Sequence, residues 1–260
     1  MDSVLSDMVV PALVARRGIS LKQATQRARE LFDRQLQFAS NNSVLSLSLP
    51  LSKYGADFAA LYAIAYGETL DEADVQNAWS EVELSLNNLF KGMDELRALL
   101  KAADSLMPQR TLCFQHSDVT VRAVPDLVAF SRGNRTAIVD WKVHHFGIHE
   151  AWLQLGTYAV ALCRCVPHKD FPTAFRGVDP LSIDLFEVQL LTSHVRSFRL
   201  TSDELDRIEA YIAGSSIEMQ LAVSADEDEL QPMDFPVAAS AESCQRCPYR
   251  MLCWEVGREN

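Results

Sequence analysis

Two runs of β-branched and apolar residues, Val119–Phe130 and Thr136–Val143, flank a turn-rich stretch, Ser131–Arg135, and constrain this chain more than any other segment. Alternation within such runs favours strands, and the Ser-Arg-Gly-Asn-Arg sequence between them favours a hairpin loop. With Gly133 at its centre, residues whose numbers sum to 266 pair across the ladder: Phe130 with Thr136, Val128 with Ile138, and Asp126 with Asp140. Two carboxylates then stand opposite each other on one sheet face, with Lys142 two residues further along that face. Pro125 interrupts the first run and marks an edge, a bulge or a bend.

Like charges directly opposite in a sheet are destabilising. At about 5 Å and an effective dielectric near 20 the repulsion is roughly 3 kcal/mol. A divalent cation compensates for it directly, and a few hard oxygen ligands with open water positions suit Mg²⁺ or Mn²⁺. A lysine beside such an ion completes a site for phosphodiester hydrolysis, because the ion activates water while the ammonium orients it or stabilises developing charge. An exposed Asp–Lys pair on an amphipathic hairpin explains Asp140 and Lys142 equally well when they are taken alone.

The surrounding chain supplies context. Residues before Pro108 read as helical, with capping boxes at Ser20–Gln23 and Thr69–Glu72. The second opens a helical stripe of Val75, Trp79, Val82, Leu86, Leu89 and Leu96 suited to core packing. After the hairpin, His149–Val166 reads as a helix, Ile183–Thr192 as a strand and Ser197–Leu200 as a short strand. A helix capped by Thr201–Glu204 follows, running to about Leu221. Asp226–Glu229 reads as a solvated acidic loop. The expected organisation is a helical region 1–108, a core 109–235 and a tail 236–260, which makes an α/β chain with a mixed central sheet.

Composition excludes several classes. At 260 residues, 48% hydrophobic and 23% charged, the chain is neither disordered nor collagen-like. Its apolar runs, Val9–Ala15 and Tyr158–Cys163, fall far short of the roughly 18–20 residues a membrane span needs. The opening Met1-Asp2-Ser3 lacks a basic segment, so no secretory signal and a cytoplasmic location are expected. The net charge of −11 argues against loose, charge-driven binding of nucleic acid. Three of the six cysteines fall within Cys244–Cys253, which favours metal binding over a disulfide framework.

These residues resemble the PD-(D/E)XK nucleases, specifically the RecB-like branch. Pro125-Asp126 is similar to the first signature element, and Asp140-Trp141-Lys142 to the second in its Asp–aromatic–Lys form. Gln154 and Tyr158, four apart on one helix face and downstream of Lys142, are similar to the Gln-x-x-x-Tyr motif that follows the hairpin. Cys244, Cys247 and Cys253 have a Cys-x₂-Cys-x₅-Cys spacing similar to that of RecB-like nucleases carrying an iron–sulfur cluster. Those include AddB-type helicase–nucleases and the CRISPR-adaptation nuclease. The resemblance spans residues 110–255.

The resemblance implies a restriction-endonuclease-like core and Mg²⁺- or Mn²⁺-dependent cleavage of DNA, commonly as an exonuclease on single-stranded ends in repair, recombination or defence. Asp126 and Asp140 would bind the ion, with the Trp141 carbonyl as a further ligand. Lys142 would position the water, and Gln154 and Tyr158 would shape the site. The tail thiolates suit a [4Fe–4S] cluster or Zn²⁺.

Two departures stand out. The family's cluster takes its first cysteine from upstream of the core, yet residues 1–112 contain none. Cys113 is the nearest candidate for a fourth ligand, while Cys163 and Cys165 read as apolar thiols. An absent cluster, a three-cysteine centre, completion by another chain and replacement by zinc all remain open. The family's upstream His or Glu is also missing, with Glu68, Glu81, Glu83 and His116 as candidates. His144, His145 and His149 read as loop residues able to contact phosphate. A non-catalytic subunit that binds DNA or serves assembly is the alternative reading, and a zinc-stabilised interaction protein is a third. The acidic charge favours a subunit working with a partner such as a helicase, local cations coming from Arg122, Arg132, Arg135 and Lys142.

Overall fold

The structure is a computed structural model, and it describes residues 1–42, 53–55, 58–65, 67–116, 119–131, 136–143, 151–169, 171–172, 175, 178–222, 231, 233, 237, 243–244, 247 and 253. The hairpin loop at 132–135, the three histidines at 144, 145 and 149, and the acidic stretch 226–229 lie outside these residues. The chain divides into two compact units. One comprises Met1–Glu30 with Gln76–Ala213, the other Leu31–Val75 with Gly214–Asn260.

Helices lead the chain order, as the hydropathy pattern predicts: α1 (Asp2–Val4), a π-helical turn (Leu5–Val9), α2 (Val10–Val14), α3 (Leu21–Asn41), α4 (Tyr62–Ala65), α5 (Glu72–Lys91) and α6 (Asp94–Ala102). Then come β1 (Ser105–Pro108), β2 (Leu112–His116), β3 (Val119–Ala123), β4 (Leu127–Phe130), β5 (Ala137–Lys142), α7 (Ala151–Arg164), β6 (Asp184–Gln189), β7 (His194–Phe198) and α8 (Ser202–Ala222).

The capping boxes at Ser20–Gln23 and Thr201–Glu204 form as predicted, each with reciprocal side-chain-to-amide bonds. The predicted box at Thr69–Glu72 does not. Asp71 caps α5 instead, its Oδ1 accepting from the Ala73 amide at 2.9 Å. The predicted stripe also spans two helices. Leu86 and Leu89 are buried on α5, whereas Leu96 belongs to α6. Between them the chain leaves the helix at Met93 (φ −123°, ψ 56°), and Gly92 backs so closely onto Ser193 that a Cβ there would collide with its hydroxyl.

In the first unit, five strands form a mixed sheet in the order β1-β4-β5-β6-β7. All neighbours are antiparallel except β5 and β6, which run parallel and are joined through α7. The β4–β5 register is the predicted one, with Val128 opposite Ile138 and Leu127 opposite Val139. The run Val119–Phe130, however, is two strands in two sheets. Its first half, β3, pairs with β2 in a separate two-stranded sheet, and its second half, β4, lies between β1 and β5. Pro125 sits at the break, where its missing N–H and fixed φ disfavour a continuous ladder.

Alternation divides the five-stranded sheet into two apolar faces. Val128, Phe130, Ile138 and Leu185 pack beneath Leu155, Ala159 and Leu162 of α7. Leu127, Ala129, Val139, Trp141 and Val188 pack on the other face against Leu5 and Val9, Leu89 of α5, and Leu96 and Leu100 of α6. In the second unit, Phe38, Tyr54 and Phe58 form an aromatic cluster with centroids 5.3–6.4 Å apart.

Candidate active site

The site grows from the place where the β4–β5 ladder stops. Two steps beyond the last pair, Leu127 with Val139, the register would join Pro125 to Trp141, but Pro125 has no N–H to donate to the Trp141 carbonyl. The Trp141 amide is taken up by the Asp126 side chain, whose Oδ2 accepts it at 2.7 Å. In an extended strand a residue's N–H and C=O leave on the same edge, so the Trp141 carbonyl opens on the Asp126 side as well. Asp126 and Asp140 are therefore neighbours across the end of the hairpin, as the register predicts, although the ladder itself closes one residue earlier at Leu127 and Val139.

Asp140 is 2% exposed, among the few charged side chains buried in the described part of the fold. Its Oδ2 is 2.7 Å from Lys142 Nζ on the same strand face. The ammonium also donates to Gln154 Oε1 at 2.8 Å, and Gln154 Nε2 donates to the Tyr158 hydroxyl at 2.8 Å. Because an ammonium has only donors, this contact fixes which end of the Gln154 amide faces Lys142. Helix α7 places Gln154 and Tyr158 one turn apart on the side facing β5, as the four-residue spacing predicts. Burial, then the negative charge of Asp140 and, more weakly, of Asp126, push the Tyr158 phenol up to about 12, while its Gln154 bond acts the other way. Tyr158 is therefore protonated at neutral pH. With its oxygen accepting from Gln154, its own proton is available to an acceptor.

A further carboxylate lies in the same row and was not foreseen. Glu187 of β6 is in parallel register with Asp140, so both side chains leave one sheet face, and Glu187 is fully buried. Its Oε1 accepts from Gln189 Nε2 at 2.7 Å, and its Oε2 is paired with the Arg196 guanidinium of β7. The signal was present in the alternation Leu185, Glu187, Gln189, which puts an acid one step from a core leucine. Reading it required knowing that β6 lies beside β5.

The remaining first-unit candidates are not gathered into this site. Glu81 and Glu83 are exposed on α5, a helix whose buried residues contribute to the opposite sheet face. His116 ends β2, and Arg122 is exposed on β3 of the two-stranded sheet. Glu68 is exposed in the second unit. Cys113 is exposed on β2, Cys165 is buried and Cys163 is half-buried. Cys244, Cys247 and Cys253 belong to the second unit, where the Cys247 amide donates to the Cys244 carbonyl at 3.2 Å. Among the described residues no group of three or more His, Cys, Asp or Glu side chains is gathered to hold a metal ion. Asp126, Asp140 and the Trp141 carbonyl nevertheless form a small, oxygen-only donor set, the chemistry that Mg²⁺ and Mn²⁺ favour.

The sequence profile of the PD-(D/E)XK nuclease superfamily matches residues 12–254. The chain belongs to this superfamily. The matched span includes every residue of the site and all three tail cysteines. No curated protein matches the chain. Among solved structures, SSO0001 is similar at 9% identity and a TM-score of 0.37, covering 88% of this chain and 97% of its own. A candidate exonuclease from Eubacterium rectale is similar at 11% identity and a TM-score of 0.35, covering 84% and 92%.

Proposed function

We propose that this PD-(D/E)XK protein is a cytoplasmic, Mg²⁺- or Mn²⁺-dependent deoxyribonuclease, acting as an exonuclease on single-stranded ends in repair, recombination or defence. The observation that carries the reading is the continuous chain Asp140–Lys142–Gln154–Tyr158 beside Asp126. A partly buried lysine held by two partners in a nuclease fold is costly as a purely structural device, because desolvating its charge offsets part of the pairing energy.

Asp126, Asp140 and the Trp141 carbonyl would hold the divalent ion. When bound, the ion supplies a water activated at neutral pH and neutralises charge on the phosphate. Two of the Lys142 N–H groups are directed at Asp140 and Gln154, which leaves the third for the attacking water or a phosphate oxygen. Gln154 fixes the direction of that third bond. The Tyr158 hydroxyl, kept protonated, accepts from Gln154 and so acts on Lys142 through it. The trans-sheet position of Trp141 excludes solvent beneath the strand.

The test is cleavage of end-labelled DNA with Mg²⁺, Mn²⁺ or EDTA. Activity is expected with either ion and is abolished by EDTA, by Asp140→Ala and by Lys142→Ala. Full activity in both variants would sink the assignment.

A second reading is favoured by the presence of two gathered carboxylates where a third would complete the family's set. Here the chain is an inactive subunit that binds DNA or a partner such as a helicase. Calorimetric titration with Mn²⁺ separates the two, since the nuclease reading requires saturable binding that Asp126→Ala abolishes. We also assign Cys244, Cys247 and Cys253 to a soft-metal centre, [4Fe–4S] or Zn²⁺, on their spacing. Brown colour after anaerobic purification identifies the first, and one zinc per chain in a colourless sample identifies the second.

A further inference from the structure

The polar row on the α7 face continues past Asp140. Asp140 is in register with Glu187, and Glu187 with Arg196. One step along, Lys142 is in register with Gln189, and Gln189 with His194. Partners in register project to one face, so these six residues form two parallel rows crossing β5, β6 and β7. At about 4.8 Å per strand, the Arg196 backbone lies about 10 Å from that of Asp140.

The two ends of the Glu187–Arg196 pair differ. Glu187 is 0% exposed, with each oxygen engaged, one by Gln189 and one by Arg196. Arg196 keeps 32% of its side-chain surface open on β7, the edge strand among the described residues, and His194 on the same face is exposed. An arginine pinned by a fully buried acid is held in one orientation, which suits recognition of phosphate. The alternative, that Arg196 merely neutralises Glu187, does not account for a fully buried acid beside Leu185 and Ile138, where an apolar residue of similar volume would be at least as stable.

We propose that Arg196, fixed by Glu187 and flanked by His194, grips a phosphate of the nucleic-acid strand next to the one cleaved, and so leads the backbone from the Asp126–Asp140–Lys142 centre across β6 and β7. The inference rests on the nuclease reading and adds the direction in which the substrate leaves the site.

The experiment measures anisotropy of a labelled single-stranded oligonucleotide in EDTA, which prevents cleavage, over a series of KCl concentrations. Arg196→Ala is expected to weaken binding about tenfold or more and to lower the salt slope by about 0.7. Arg196→Lys should retain the slope. Glu187→Gln/Arg196→Ala removes both charges, so it should melt near the wild-type temperature while binding as weakly as Arg196→Ala. That result excludes a purely structural role and covers the case in which Arg196→Ala alone does not fold. Wild-type affinity and slope in the double variant would overturn the proposal, as would a wild-type protein that does not bind the oligonucleotide. A wild-type protein that binds through Arg196 but cleaves nothing with Mg²⁺ or Mn²⁺ would refute the nuclease reading and leave the backbone contact standing.

Discussion

Gln154 is the residue through which Tyr158 reaches Lys142, and this makes an ordered prediction. Gln154→Ala removes a hydrogen bond to an ammonium, worth about 1.5–3 kcal/mol. If that loss falls on the transition state, kcat drops about 10- to 150-fold with KM little changed. Lys142 keeps its 2.7 Å contact with Asp140, so activity does not vanish as it should in Lys142→Ala. Tyr158→Phe loses only a neutral bond, about 0.5–1.5 kcal/mol, for a reduction of about 2- to 12-fold. The double variant Gln154→Ala/Tyr158→Phe should be no slower than Gln154→Ala alone, because Tyr158 orients the lysine only through Gln154. The assay is steady-state cleavage of end-labelled DNA in Mn²⁺, with circular dichroism melts to confirm folding. Additive losses in the double variant, or Tyr158→Phe slower than Gln154→Ala, would refute the relay.

Packing and pH yield two further expectations. A Cβ on Gly156 would collide with Ile208 Cδ1 and lie 3.3 Å from Leu200 Cδ2, so Gly156→Ala should cost about 1–3 kcal/mol, less about 1 kcal/mol of helix propensity. Ile208→Val deletes the obstructing methyl, and the two changes together should melt higher than the sum of their separate effects predicts; strict additivity would refute the contact. Burial, with smaller contributions from Asp179 and Cys165, pushes the Cys163 thiol from 9.0 up to about 12, against a weaker pull from Arg164. The native state therefore keeps a proton that the unfolded chain loses between those values. Stability from this group is complete below pH 9 and falls as pH rises toward 12, with Tyr158 adding to the fall from about pH 10. Urea midpoints at pH 8, 9 and 10 should decline, and less steeply in Cys163→Ala; equal slopes would count against the burial.

The hairpin was legible because its register depends on neighbours in sequence. Alternation of Val128, Ile138 and Asp140 and the turn-forming residue types between the two runs are local facts of sequence, and α7 set Gln154 and Tyr158 on one side by helical geometry alone. What lay hidden depended on distant partners. Strands β1 and β2 are four and five residues long and too short to declare a period, and the separation of β3 from β4 depends on which strands each finds. Glu187 looked like any charged residue in a strand until β6 was placed parallel to β5. Its partner Arg196 lies across a turn whose register no motif specifies. The cap of α5 was misread because Thr69 and Asp71 both precede an acidic helix start, and local sequence does not rank them.

Strand β5 serves two masters at alternate residues. Val139 and Trp141 are answerable to volume, Asp140 and Lys142 to charge. Drift at the odd positions is thus tolerated within limits of size, and drift at the even ones hardly at all. The strand has no tolerance for a change in length. One inserted or deleted residue would send the acid and the ammonium into the apolar layer of α5 and α6 and turn the indole toward α7. An insertion or deletion placed outside Ala137–Lys142 leaves the frame of the strand intact, so it is expected to be better tolerated than one inside it.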